Sequence, residues 1–159
     1  VVFADGSPNA DLMLVGEGPG AQEDIQGVPF VGRSGKLLDR LLIEEVGIER
    51  SACYIANVVK CRPPGNRDPK PDEIAACRPY LEEQVELVDP AVIVTLGNFA
   101  SKLLLDTETG ITKLRGRSYE YGGRSLVPTF HPAAALRGGA GVLAKMRADL
   151  VRAKMLMAR

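Results

Sequence analysis

Three kinds of polar side chain stand where this chain could do chemistry, each just past an apolar run. Asp11-Leu12-Met13-Leu14-Val15 leads into Gly16-Glu17-Gly18-Pro19-Gly20, Ile55-Ala56 leads into Asn57, and Ser125-Leu126-Val127-Pro128 leads into Thr129-Phe130-His131-Pro132. His131 is the only histidine. Its imidazole can donate a hydrogen bond or carry a proton near neutral pH, or simply close a strand-end turn. The glycine cluster alone is weak evidence. It matches neither GxGxxG nor a P-loop, and a Gly/Pro turn after a strand is ordinary punctuation. Read together, Glu17, Asn57, Asn98 and His131 each end or follow an expected strand, so loops far apart in sequence can meet at one edge of a sheet.

Such convergence requires a particular frame. Asp11 to Val15 reads as a buried strand, and residues 35–46 as an amphipathic helix with Leu37, Leu38, Leu41, Leu42 and Val46 near helical spacing, stopped by Gly47. Ala52 to Val59 reads as a second strand. Pro71 opens a helix to about Val88, with Asp72 and Glu73 suiting the dipole of its first turn. Ala91 to Thr95 is a third apolar strand, and Gly97-Asn98 turns it into a helix from Phe99 to Leu105. Alternation over Thr112 to Tyr121, then Gly122-Gly123, predicts a small antiparallel excursion before the strand Leu126 to Thr129. A closing helix covers Val142 to Met157. The expected fold is α/β: a three-layer α/β/α sandwich with a short, mainly parallel central sheet, one domain over residues 1–159, its site beyond the strands' carboxyl ends.

With 159 residues and 45% hydrophobic content, one domain can bury a sizeable core without staples. No apolar stretch of membrane-spanning length and no signal-peptide pattern occurs, so the expectation is a soluble, cytoplasmic monomer with no membrane partner. Net charge is zero but uneven. Residues 1–110 hold ten Lys/Arg against eighteen Asp/Glu, whereas residues 111–159 hold ten against Glu120 and Asp149 alone. That asymmetry fits either a nucleic-acid footprint or basic residues on a solvated helix face. The three cysteines make a disulfide framework unexpected: Cys53 reads as core, while Cys61 and Cys77 flank a Pro/Gly/Arg-rich loop.

In order, the chain carries Gly16-Glu17-Gly18-Pro19-Gly20, Glu23-Asp24, residues 27–33 (GVPFVGR), residues 55–61 (IANVVKC), residues 62–67 (RPPGNR), Cys77-Arg78-Pro79, and residues 131–137 (HPAAALR). This series resembles the family 4 uracil-DNA glycosylases, the iron–sulfur bacterial and archaeal branch of the uracil-DNA glycosylase superfamily, from about Asp11 to the carboxyl end. The resemblance implies a monofunctional repair glycosylase whose partner is uracil-containing DNA. Such an enzyme flips uracil out, hydrolyses its N-glycosidic bond and leaves an abasic site. No lysine stands in an evident position for Schiff-base chemistry.

By the same resemblance, Phe30 stacks on the flipped base, and Asn57 donates to O4 and accepts from N3–H. His131 donates to the O2 of the departing uracil anion, helped by backbone N–H groups in the loop of Glu17, Gly18, Pro19 and Gly20. In the best-known branch a tyrosine excludes the thymine methyl and an aspartate activates water, but here Gly20 and Gly18 hold those positions. Glu23 is the candidate to fill the space at Gly20, or else caps the turn before Val28. Glu17 either orients water or holds the base. Leu136 or Arg137 fills the hole left in the duplex, and Arg33, Ser34, Lys36, Asn98, Lys102 and Lys113 are candidate phosphate contacts. Cys61 and Cys77 match two of the four thiolates of a structural [4Fe–4S] cluster. The other pair, a Cys-x-x-Cys upstream of the first strand, is absent, so either the sequence is the remnant of a longer chain, as its opening residues suggest, or the protein has lost the cluster. A non-catalytic nucleotide- or DNA-binding module on the same scaffold is the alternative.

Overall fold

Short buried runs punctuated by Gly, Pro and Asp become the strands and helices of a layered fold. The computed structural model describes residues 1–158, apart from the Asn66 side chain. In chain order these are β1 (Asp5–Gly6), β2 (Leu12–Gly16), α1 (Ala21–Gln26), α2 (Arg33–Leu41, prolonged by a π turn, Leu42–Val46), β3 (Tyr54–Asn57), α3 (Pro71–Val88), β4 (Val92–Leu96), α4 (Asn98–Leu105), α5 (Ile111–Leu114), β5 (Tyr119–Tyr121), β6 (Arg124–Thr129), α6 (Pro132–Gly138) and α7 (Ala140–Met157).

The sheet order is β1-β3-β2-β4-β6-β5. The four inner strands are parallel, as continuous apolar runs joined by helices predict, and both edges are short antiparallel additions. Pro128 pairs with Thr95 beyond the last β6 residue matched to β5, so its missing N–H interrupts no ladder on that side.

Alternation along the strands divides the core into two layers. Leu12, Leu14, Ile55, Val92, Val94 and Val127 pack with Leu38 and Leu41 of α2 and with Met146 and Leu150 of α7. Met13, Val15, Ala56, Ile93 and Leu126 pack with Leu81 and Val85 of α3 and with Ala100 and Leu104 of α4. Each fully buried Val, Leu, Ile or Met among them contributes about 1.5–3 kcal/mol over remaining in water. The three-layer α/β/α sandwich is thus as expected.

Several boundaries differ. The second strand is only Tyr54–Asn57, because Arg50–Ala52 forms a 3-10 turn and the backbone after Asn57 follows the glycine loop: Val58 N–H donates to Gly16 O at 2.9 Å and Val59 N–H to Glu17 O at 3.0 Å. Part of the supposed antiparallel excursion is helix α5; only Tyr119–Tyr121 pairs with β6, across Gly122-Gly123. Two short helices, α1 and α6, occupy segments to which the sequence assigned no helix. The chain passes to β3 on one side of β2 and to β4 on the other, opening a crevice where strand order reverses.

Candidate active site

The carboxyl ends of β2, β3, β4 and β6 surround a cleft of 740 Å³, lined among others by Glu17, Phe30, Asn57, Asn98 and His131. That is ample for a nucleobase and its sugar. The glycine loop, the strand-end amide and the lone imidazole therefore share one site.

Asn57, the last residue of β3, is 2% exposed, and its Oδ1 has no hydrogen-bond partner among the described residues. A buried amide oxygen left unpaired costs about 1–3 kcal/mol, which a ligand N–H would recover. Gly16 permits this arrangement: a Cβ there would lie 2.5 Å from Asn57 Oδ1 and 2.6 Å from Phe30 Cζ. Phe30 itself takes φ +53, a rare conformation for a bulky residue. Arg50 holds it there, donating to the carbonyls of Phe30 and Pro29 while paired with Asp5 and Asp39. No sequence periodicity marks Arg50 for this task.

Behind Asn57 lies Lys60, 3% exposed. Its Nζ donates to Asn57 O at 2.8 Å and to Gln84 Oε1, and lies 5.5 Å from the Phe3 ring. Burial pushes this ammonium down to about 8.

His131 is the N-cap of α6. Its Nδ1 accepts the Ala133 N–H at 3.0 Å, so the neutral ring carries its proton on Nε2. Burial, then the Arg137 charge, pushes the imidazole down to about 4 against the opposing influence of Glu23. Near neutral pH it is an uncharged donor. Its ring centroid lies 5.5 Å from that of Phe30, the planes inclined by 33°. Below it, Thr129 Oγ1 donates to the fully buried Asp149 at 2.7 Å, and Arg115 donates to both oxygens of the same carboxylate.

Glu23 both caps and fills. Its Oε1 accepts the Gly20 N–H at 2.9 Å, and its Oε2 accepts those of Val31 and Gly32 at 3.0 and 3.3 Å. A Cβ at Gly20 would come within 2.7 Å of Glu23 Oε1, so the glutamate occupies the space beside that glycine. Burial raises the half-buried Glu17 carboxyl above its ordinary value, and the charge of Asp68 and a hydrogen bond with it raise it further. Asp68, unmarked in sequence by any periodicity, lies in the loop before α3 and lines the same cleft.

The other candidates divide. Ser34, Lys102 and Arg137 line the cleft, as do Gly18 and Gly20, while Pro19 lines a smaller depression shared with Pro63, Arg67 and Pro69. Asn98 lines the cleft, but its Oδ1 is engaged by the Ile111 N–H at 2.7 Å, which makes it a helix cap as well. Arg33, Lys36 and Lys113 are exposed outside the lining, and Leu136 is exposed on α6. Much of the basic surplus after residue 110 is paired: Arg115 and Arg152 with Asp149, Arg124 with Asp89 and Glu86, Arg147 with Glu44 and Glu45. The charge count therefore overstates the cationic surface.

Cys61 is exposed and Cys77 half-buried. They lie close, since Lys60 N–H donates to Cys77 Sγ at 3.3 Å, a hydrogen bond of the kind that supports thiolate ligands. Cys53 is core, and burial pushes its thiol up to about 12. Among the described residues, no group of three or more His, Cys, Asp or Glu gathers as a metal site. No helix among the described residues is long and apolar enough to cross a membrane.

A family profile described as the Uracil DNA glycosylase superfamily matches residues 3–153. Over 143 residues, 85% of the chain, the sequence is 49% identical to the type-4 uracil-DNA glycosylases of Sulfurisphaera tokodaii and of Saccharolobus solfataricus. It spans 65% and 66% of their respective lengths. Over 157 residues it is 46% identical to the type-4 uracil-DNA glycosylase of Thermotoga maritima, covering 97% of this chain and 81% of that protein.

Proposed function

Because the chain belongs to the uracil DNA glycosylase superfamily, in its type-4 branch, we propose that it removes uracil from DNA by hydrolysing the N-glycosidic bond, leaving an abasic site. The observation that carries this reading is the pairing of two unlike groups across one cleft. Asn57, whose Oδ1 is unpartnered, lines the same cleft as an imidazole whose proton is held on Nε2.

Uracil extruded from the duplex stacks on Phe30, as a buried aromatic wall allows. Asn57 Oδ1 accepts N3–H and its NH₂ donates to O4. Cytosine offers the reverse at both atoms, at about 1–3 kcal/mol for each unmatched group. Thymine brings a methyl toward the end of the cleft filled by Glu23, whose three backbone hydrogen bonds keep it from yielding.

As the C1′–N1 bond breaks, the sugar becomes cationic and the base anionic. His131 Nε2–H donates to O2 of the departing uracil without surrendering its proton, the role suited to a ring that stays neutral down to about 4. A preorganised donor of this kind contributes on the order of 10²–10³ in rate. Glu17, at the mouth of the glycine loop, faces the sugar and the water that adds to it.

On the DNA side, Ser34, the N-terminus of α4, Lys102 and Arg137 contact phosphates, and Leu136 enters the gap left by the flipped nucleotide. Cys61 and Cys77 supply two of the thiolates of a [4Fe–4S] cluster, which when bound ties down the loop between them and takes no part in bond cleavage.

Incubation with labelled duplexes containing U:G, U:A or T:G, followed by alkali, tests the activity. Strand breaks are expected for both uracil duplexes and not for T:G. Salt-sensitive binding to all three without breaks would reduce the chain to a DNA-binding module.

A further inference from the structure

The loop between the two cysteines does more than fill a gap between β3 and α3. Arg67 makes a two-pronged pair with Glu73 in the first turn of α3, at 2.7 and 2.9 Å, and also donates to Asp68 O at 3.0 Å. Glu73 further accepts the Lys70 N–H. The loop is thus pinned at the helix start, with Pro63, Arg67 and Pro69 against the glycine loop. Asp68 consequently lies at the exposed rim of the cleft that Glu17 also lines, and its charge and a hydrogen bond with it raise the Glu17 carboxyl above its ordinary value. A neighbouring carboxylate increases the affinity of Glu17 for a proton. That the space they border receives a ligand is indicated separately by the unpartnered amide oxygen of Asn57.

We propose that Asp68 is a positioning residue for Glu17, and that the two carboxyl groups together orient the attacking water and take up its proton. The inference rests on the glycosylase reading and adds to it the residue that serves the water. In the step, the C1′–N1 bond breaks with its electron pair leaving on uracil. The water oxygen bonds C1′, and one water proton passes to Glu17, whose affinity for it the neighbouring Asp68 anion increases. Among the described residues, the other charged or titratable groups lining the cleft or the adjoining depression are Arg67 from the same loop, Glu23 from α1, Lys102 from α4, and the neutral His131 and the cationic Arg137 at α6. None is hydrogen-bonded to Asp68 through its side chain among the described contacts. The glycine loop, which offers Gly18 where an aspartate would serve water, thereby obtains its second carboxylate from another segment.

The test is single-turnover excision from a U:G duplex as a function of pH, with D68N, E17Q and the double variant, alongside duplex affinity. Glu17 must be ionised to act. Removing the Asp68 charge takes away an influence that raises Glu17, so the acid limb of D68N moves to lower pH, and the plateau rate falls on the order of tenfold because the base is weaker. Duplex affinity stays equal or tightens, since an anion has left the DNA face. In the E17Q background, D68N has no further effect. An active wild type whose acid limb and plateau are unmoved by D68N overturns the pair alone. A wild type that generates no alkali-labile sites overturns the glycosylase reading instead.

Discussion

Behind Asn57 stands a buried cation, and behind His131 a buried anion. Lys60 has only neutral acceptors, the Asn57 carbonyl and the Gln84 amide, and forms no ion pair among the described residues. Asp149, fully buried, has a two-pronged Arg115 and the Thr129 hydroxyl. The two sides of the cleft are therefore held differently. The β6 side rests on a closed ion pair that joins α7 and the residue after α5 to the strand end, so its geometry is expensive to disturb. The β3 side rests on a chain of single hydrogen bonds running through Lys60 and Gln84 to Phe3 and Tyr54, which can readjust. The imidazole proposed as the catalytic donor stands on the stiffer support, and the amide proposed to read the base on the more adaptable one.

Breaking the stiff side has the largest effect. D149A strands the Arg115 guanidinium and the Thr129 hydroxyl, and a loss of about 3–5 kcal/mol in denaturant unfolding is expected; a loss under about 1 kcal/mol would remove the contrast. H131A lowers single-turnover excision on the order of 10²–10³, about 2.7–4 kcal/mol. Its unfolding free energy falls by only about 1 kcal/mol, for the lost cap on Ala133. On the other wall, N57A narrows the preference for uracil over cytosine by about 1–3 kcal/mol, measured as relative excision of the two bases. K60M, which removes an ammonium bonded only to neutral acceptors, lowers stability by about 1 kcal/mol. A K60M loss equal to that of D149A would show that both supports are rigid.

The histidine sharpens the comparison through pH. Its folded value of about 4 lies below the ordinary 6.5, so the unfolded chain binds the extra proton first. Stability contributed by the neutral ring is present above 6.5 and declines as pH falls toward 4. H131A should flatten that part of the stability profile, as denaturant midpoints across the acid range would record.

Much of this arrangement is legible in the sequence, for reasons that also mark where legibility ends. β2 and β4 are buried, mainly apolar runs and β6 carries the apolar stretch Leu126–Pro128, and each leads to a residue that lines the cleft as expected. The second strand is shorter than its apolar run because Val58 and Val59 bond to the glycine loop rather than extend a ladder. α6 hides in the segment after His131, where Pro132 at the first helical position and the imidazole cap are the only signals. Arg50, Lys60, Asp68 and Asp149 are invisible for a different reason. Their roles depend on partners distant in sequence, as Arg50 with Asp39, 11 residues away, and Arg115 with Asp149, 34 away, illustrate, and no local period encodes such pairs. The basic surplus of the last third misleads in part for the same reason, since Arg124 and Arg147 find carboxylates on α3 and the π turn.

The central claim is that Asn57 and His131 hold opposite edges of the same pyrimidine, and nuclear magnetic resonance titration with free uracil addresses it directly. The account predicts that the Asn57 side-chain amide and the His131 Nε2 signals shift together, saturating at one common dissociation constant, while cytosine moves neither. Saturable movement of one signal with the other unchanged would contradict it.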